Sequence, residues 1–366
     1  MSALLIRDGL ILTLEPERLP FEGDLLIEDG RITAVGESLD AGGAEVLSAE
    51  GRLVMPGFVQ GHVHLTQALF RGLANDVQLI DWLFERVLPL ESAHDAETLY
   101  DSARLGLAEL LRSGTTTVVD VGAARDIDSI FRALVESGIR AQSGFLMMDH
   151  PETYPALRQS TEEALKSALD VFERWGGHSK RVRCAFVPRG LLSVTLHLMR
   201  EVGRLADERD AFIHTHANEN HDEIARIEAG CGERPIACME TLGVVGPRLQ
   251  LAHCIWLAGR EMEILQDGDV KVVHCPSANA KLASGIALVP EMLASGITVA
   301  LGADGAPCND NLDAFMEMRL AGLLQKLRLE NPAALPARRI LEMATLGGAR
   351  ALGLEDEIGS LEVGKR

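Results

Sequence analysis

Six histidines and one aspartate draw attention by their positions. His62 and His64 alternate at the end of one apolar run, and His214 and His216 at the end of another. His253, His274 and Asp304 each close a further apolar run. Neutral imidazoles together with a carboxylate are the donor set of zinc and similar divalent ions. A lone histidine of this kind is usually a core residue satisfied by a hydrogen bond. Seven such residues at the ends of five runs point instead to a metal centre. Alternation with period two sends His62 and His64 to the same side of their strand. Glu219 stands three residues beyond His216. A carboxylate there can sit beside a metal-bound water without coordinating, as a general acid/base does. We therefore read His216 as a ligand and Glu219 as a proton shuttle, with His214 deeper in the strand and structural. Asp304 is available both as ligand and as base. The run VRCAFVP ends without a lysine that could bridge a second ion, so one metal is expected. Zinc suits these donors, and iron(II) is the alternative.

Such residues must be held by strands. Apolar strands are expected at 57–64, 115–121, 141–148, 182–188, 211–217, 249–254, 270–275 and 298–304, each followed by an amphipathic helical stretch. Eight alternations with near-continuous apolar strands predict parallel pairing in a closed (β/α)8 barrel, an α/β fold of TIM type. A doubly wound open sheet is the alternative. Catalytic side chains of such a barrel come from strand C-terminal ends, where these histidines lie. Residues 1–55 read differently, as short β runs broken by Asp-Gly and Glu-Gly turns, which suggests half of a small antiparallel unit. The barrel is expected over 56–330. A helix and the start of returning strands are expected over 331–366, where the chain ends just as another strand should begin. That suggests a C-terminally shortened form of a longer protein.

Composition narrows the partners. The chain has 366 residues, and a net charge of −19 disfavours broad nucleic-acid or anionic-membrane binding. No apolar run of about 18 residues is present, and Arg7 and Asp8 interrupt the N-terminal one, so neither a membrane span nor a secretory signal is expected. Six cysteines without a CxxC pair read as buried thiols of a reducing cytoplasm. Apolar outer helix faces suggest a homo-oligomer.

The segments PGFVQGHVHLTQALFRGL, DWLFERVLPLE, HTHANEN, LAHC, HCPSANAKLASGIALVPEML and LGADGAPCNDNLDAFMEMRLAGLLQK together resemble the amidohydrolase superfamily. The resemblance is to its single-metal aminohydrolases: deaminases of adenosine-type nucleosides and S-adenosylhomocysteine, guanine deaminases and triazine hydrolases. It implies a barrel with a small β-sandwich composed from both chain ends, of which the N-terminal half is present here. It implies His62, His64, His216 and Asp304 as metal ligands and Glu219, His253 and Asp304 as catalytic residues. Glu219 would protonate a ring nitrogen, His253 would hold the attacking water, and Asp304 would take its proton. The activity implied is hydrolysis of a cyclic amidine C–N bond with release of ammonia.

For the substrate the same resemblance divides. Glu91 matches the glutamate that nucleoside-type deaminases keep for ribose hydroxyls. Gln67 and Arg189 resemble residues that guanine deaminases use to read the purine edge. Arginine is a donor-only fork, which favours a ring bearing an exocyclic oxygen. Alternatively, Arg189 pairs with an acidic neighbour and Glu91 is a helix-turn carboxylate. Ser143-Gly144 lacks the second arginine expected for a carboxylate-tailed substrate. The family's Ser-Asn-Leu-Lys-Leu reads Ala278-Asn279-Ala280-Lys281-Leu282 here, which suggests a looser pocket floor. Three functions compete: a purine-type aminohydrolase for a guanine-like oxo-purine or a 5′-modified adenosine, a triazine-type hydrolase, and a non-catalytic ligand-binding barrel.

Overall fold

The computed structural model describes residues 3–16 and 18–366. An N-terminal sheet contains β1 (Ala3–Ile11), β2 (Phe21–Glu28), β3 (Arg31–Gly36), β4 (Glu45–Ser48) and β5 (Leu53–Val54). Strands β1, β2 and β3 pair antiparallel, with Asp29-Gly30 turning the second hairpin. The sheet is not wholly antiparallel, as the turn signals suggested. β4 and β5 both run parallel to β1, because the segment after β3 crosses over to the far edge. Ile11, Leu25 and Ile32 pack its small core together with Leu361 from the tail. The tail returns along this sheet: Leu361 N–H donates to Thr13 O at 2.8 Å and Gly364 N–H to Ile32 O at 2.8 Å.

The remaining strands are β6 (Phe58–Val63), β7 (Thr115–Asp120), β8 (Arg140–Ser143), β9 (Leu146–Met147), β10 (Val182–Cys184), β11 (Val187–Pro188), β12 (Ile213–Ala217), β13 (Leu249–His253), β14 (Lys271–His274) and β15 (Val299–Leu301). Eight of them form one parallel sheet in the order β10-β8-β7-β6-β15-β14-β13-β12. Bridges Phe186↔Ile213 and Gly190↔His216 join its two ends and close the barrel. The third and fourth barrel strands are each broken in two rather than continuous. A Cβ on Gly144 would lie 2.0 Å from Ala185 O, so the two backbones meet there only because position 144 is glycine. Beyond that kink, β9 and β11 pair with each other.

Side-chain caps start several outer helices. Asp95, Ser160 and Asn220 each close a capping box ahead of helices Ala96–Arg112, Thr161–Trp175 and His221–Cys231. One sequence expectation fails outright. Cys231 and Cys238 are joined as a disulfide between two neighbouring helices, so the cysteines are not all thiols. The helical turn at residues 231–238 brings their Cα atoms to 6.5 Å, which spacing alone did not reveal. Among the described residues, no helix is long and apolar enough to cross a membrane.

Candidate active site

The C-terminal ends of β6, β12, β13 and β15 converge on one buried cluster. His64 Nε2 lies 3.3 Å from His216 Nε2. Asp304 Oδ1 lies 3.5 Å from His62 Nε2 and 3.4 Å from His64 Nε2. His253 Nε2 lies 3.4 Å from Glu219 Oε2 and 3.8 Å from Asp304 Oδ2. The cluster lines a cleft of about 520 Å³ walled by Leu79, Trp82, Leu83, Leu192 and Leu282. His253 and Asp304 both hold positive φ angles, 74° and 63°. Left-handed backbone at non-glycine residues costs energy and is concentrated at functional sites.

Three of the imidazoles are fixed through their other nitrogen, whereas His64 Nδ1 has no partner among the described residues. His216 Nδ1–H donates to Arg189 O at 2.5 Å, His62 Nδ1 bonds His214 Nε2 at 2.7 Å, and His253 Nδ1 bonds Asn279 Oδ1 at 2.9 Å. Metal-binding histidines are generally oriented in this way. Among the described residues, His62 Nε2 has no hydrogen-bond partner. With Nδ1 of His216 spent on a carbonyl, its Nε2 presents a lone pair toward His64. Lone pairs and a carboxylate facing one another repel unless a cation stands between them. Three imidazoles and Asp304 therefore fit a divalent ion.

Burial holds His64 and His216 well below the ordinary imidazole range, so both are neutral and available as donors. Glu219 is pushed well above the carboxylate range, first by burial and then by the charge of Asp304. Burial opposes ionisation at Asp304 as well, but the imidazoles beside it, His62 foremost, outweigh it and hold Asp304 well below the ordinary range. Two carboxyls with opposite displacements are the arrangement of an acid and a base. Glu219 is placed by the helix cap that follows it: Glu223 Oε2 accepts Glu219 N–H at 2.6 Å and Asn220 N–H at 3.2 Å.

Gln67, Glu91 and Arg189 come together, but they face one another. Arg189 donates through Nη1 to Glu91 Oε2 at 2.7 Å, and Gln67 Nε2 donates to Glu91 Oε1 at 2.7 Å. Arg189 lines the cleft, whereas Glu91 lines a separate small pocket with Thr66, His94 and Ala124. His274 stays apart from the cluster, with both ring nitrogens unpartnered among the described residues. Sequence reasoning left His214 without a site role, although its pairing with His62 follows from shared parity and adjacency across the barrel. It also missed Asp120, which ends β7 and accepts Leu65 N–H at 2.9 Å, anchoring the turn after His64. Trp82, whose buried indole N–H in the cleft wall has no partner among the described residues, was missed too.

Comparison with known proteins gives a consistent result. The amidohydrolase family is matched over residues 53–366. A 5′-deoxyadenosine deaminase of Methanothermobacter thermautotrophicus is 41% identical over 91% of this chain and 77% of its own length. A 5-methylthioadenosine/S-adenosylhomocysteine deaminase of Syntrophobacter fumaroxidans is 36% identical over 99% of this chain and 82% of its own. An adenosine deaminase structure from Xanthomonas campestris with bound zinc is 35% identical, with a TM-score of 0.92 over 100% of this chain and 83% of that one.

Proposed function

The chain belongs to the amidohydrolase family, and on that premise we propose that it is a zinc-dependent hydrolytic deaminase of purine-type heterocycles, with 5′-modified adenosines as its substrates. The observation that carries the reaction is the placement of His253 Nε2 between two buried carboxyls, 3.4 Å from Glu219 Oε2 and 3.8 Å from Asp304 Oδ2. His62, His64, His216 and Asp304 hold the ion. When bound, it polarises a water and brings that water's pKa from 15.7 to about 7, making hydroxide available at neutral pH.

The chain's own groups then divide the work. Glu219, protonated in its buried setting, donates to the ring nitrogen beside the amino-bearing carbon. That removes the charge which would otherwise build on the ring as oxygen adds. Asp304, ionised, takes the proton from the attacking water. His253 Nε2 sits between the two carboxyls and bonds the incoming oxygen, with Asn279 fixing its ring. A proton returned to the exocyclic nitrogen lets the C–N bond break. Ammonia leaves and a ring carbonyl remains.

Within the purines, the engagement of Arg189 supports adenosine-type substrates. Its fork already donates to Glu91, leaving fewer donors for a purine carbonyl. Glu91 keeps lone pairs able to accept from ribose hydroxyls. The relatives named above support the same choice. The test is ammonia release by the zinc-loaded enzyme from 5′-deoxyadenosine, methylthioadenosine, S-adenosylhomocysteine and guanine. Release from guanine alone would transfer the assignment to oxo-purines, and chloride release from a chlorotriazine would favour the triazine reading. The exposed Phe315, Met316, Leu323 and Leu327 on helix Ala314–Arg328 support a homo-oligomer, which light scattering can count. A cytoplasmic location is proposed too, with the Cys231–Cys238 disulfide as a bond that its reducing conditions would oppose.

A further inference from the structure

We infer that Cys275, with His62 and Asp304, forms a second metal position that selects soft, thiophilic cations. The ligand atoms of these three residues all lie within 4.8 Å of one another, and all three side chains are buried. Cys275 follows β14 directly, and its backbone carbonyl accepts Asn279 N–H at 3.0 Å, so the turn that orients His253 also fixes Cys275. The inference rests on the proposed reading of His62 and Asp304 as ligands.

Ligand softness separates the two positions. Imidazole and carboxylate serve zinc well, while a thiolate adds a donor that cadmium, mercury(II) and copper(I) prefer. Both positions use His62 and Asp304, so they exclude each other. An ion drawn toward sulfur leaves His64 and His216 and no longer faces Glu219. Binding breaks the S–H bond and forms a sulfur–metal bond, and the proton passes to solvent through the cleft. Cys275 Sγ–H makes a long bond to Val273 O at 3.8 Å, whereas the neighbouring thiol of Cys308 donates to Gly305 O at 3.1 Å.

The test titrates the zinc-loaded full chain with cadmium acetate. It follows sulfur-to-cadmium charge-transfer absorption, the ¹¹³Cd resonance and deaminase rate. Wild type should gain one single-thiolate cadmium per chain and lose at least about tenfold in rate. Cys275→Ser should lack the absorption, keep the zinc-dependent rate and resist cadmium at the same ratio. No thiolate signal in wild type, or a signal that survives Cys275→Ser, would overturn the proposal. If Cys275→Ser does not fold, single serine replacements at the other five cysteines carry the assignment. The signal must persist in each, and its loss in any one refutes Cys275. The spectroscopic readout needs no turnover, so a chain inactive on every purine would sink the proposed function without deciding this site.

Discussion

The two polar regions of the barrel mouth differ in how their hydrogen bonds are spent. Around Gln67, Glu91 and Arg189 the groups satisfy one another: one buried carboxylate takes donors from both neighbours. Around His62, His64, His216 and Asp304 the outer nitrogens of His62 and His216 are tied down while the inner polar atoms face each other at 3.3–3.5 Å. Buried polar groups left unpaired are costly. A fold that aims several at one point does so for a ligand that completes them. The first region is thus complete in itself, and the second is incomplete without a cation.

Removal of the ion should have the largest effect. Dialysis against a chelator is expected to abolish ammonia release, with zinc restoring it; a chelated enzyme retaining full rate would erase the distinction. Next comes Glu219→Gln, which leaves the donor cluster intact. It should retain metal by elemental analysis yet lose about 10²–10⁴-fold in kcat. Metal loss in that variant would show that Glu219 belongs to the cluster itself. His214→Leu removes only the bond that orients His62. Metal affinity, measured by chelator competition, should fall about 10–100-fold, with partial recovery in His214→Gln.

In the self-satisfied region the prediction concerns stability. Arg189→Ala leaves Glu91 buried with half its partners, and should cost about 3–5 kcal/mol in denaturant unfolding. A cost below 1 kcal/mol would mean that the pair opens readily to water. His274 sharpens the comparison from outside both regions, because it is unpartnered but converges on nothing. Burial lowers it from 6.5 to about 3. The folded chain keeps this ring neutral while the unfolded chain protonates it below pH 6.5, so stability is lost as pH falls from there toward 3. His274→Leu should remove that loss, gaining on wild type by about 2 kcal/mol at pH 5 relative to pH 8 in chemical denaturation. Parallel pH curves would place His274 in contact with water.

Much of the cluster was legible because strand periodicity is local. His62 and His64 share a face by alternation, and Glu219 follows His216 at a spacing set by the next helix cap. The β-strand order and the closing bridges at Phe186 and Gly190 follow from repeated strand–helix units. Less legible were contacts between segments far apart in the chain. Arg189 and Glu91 are 98 residues apart, and only their docking shows that each neutralises the other. The Cys231–Cys238 link escaped for a similar reason, since it depends on how two short helices turn. The parallel course of β4 and β5 depends on a crossover that turn signals do not encode.

The amino-acid order alone determined the repeating units, the donor types at the strand ends and the position of Glu219 three residues beyond His216. These depend on residue type and on periods of two and 3.6, which neighbouring residues carry in themselves. Only the tertiary structure decided which nitrogen of each histidine faces inward, that Arg189 answers Glu91, and that Cys275 stands beside His62 and Asp304. Those outcomes depend on distances across the barrel. Such distances are set when eight strands close and their side chains compete for the same buried partners.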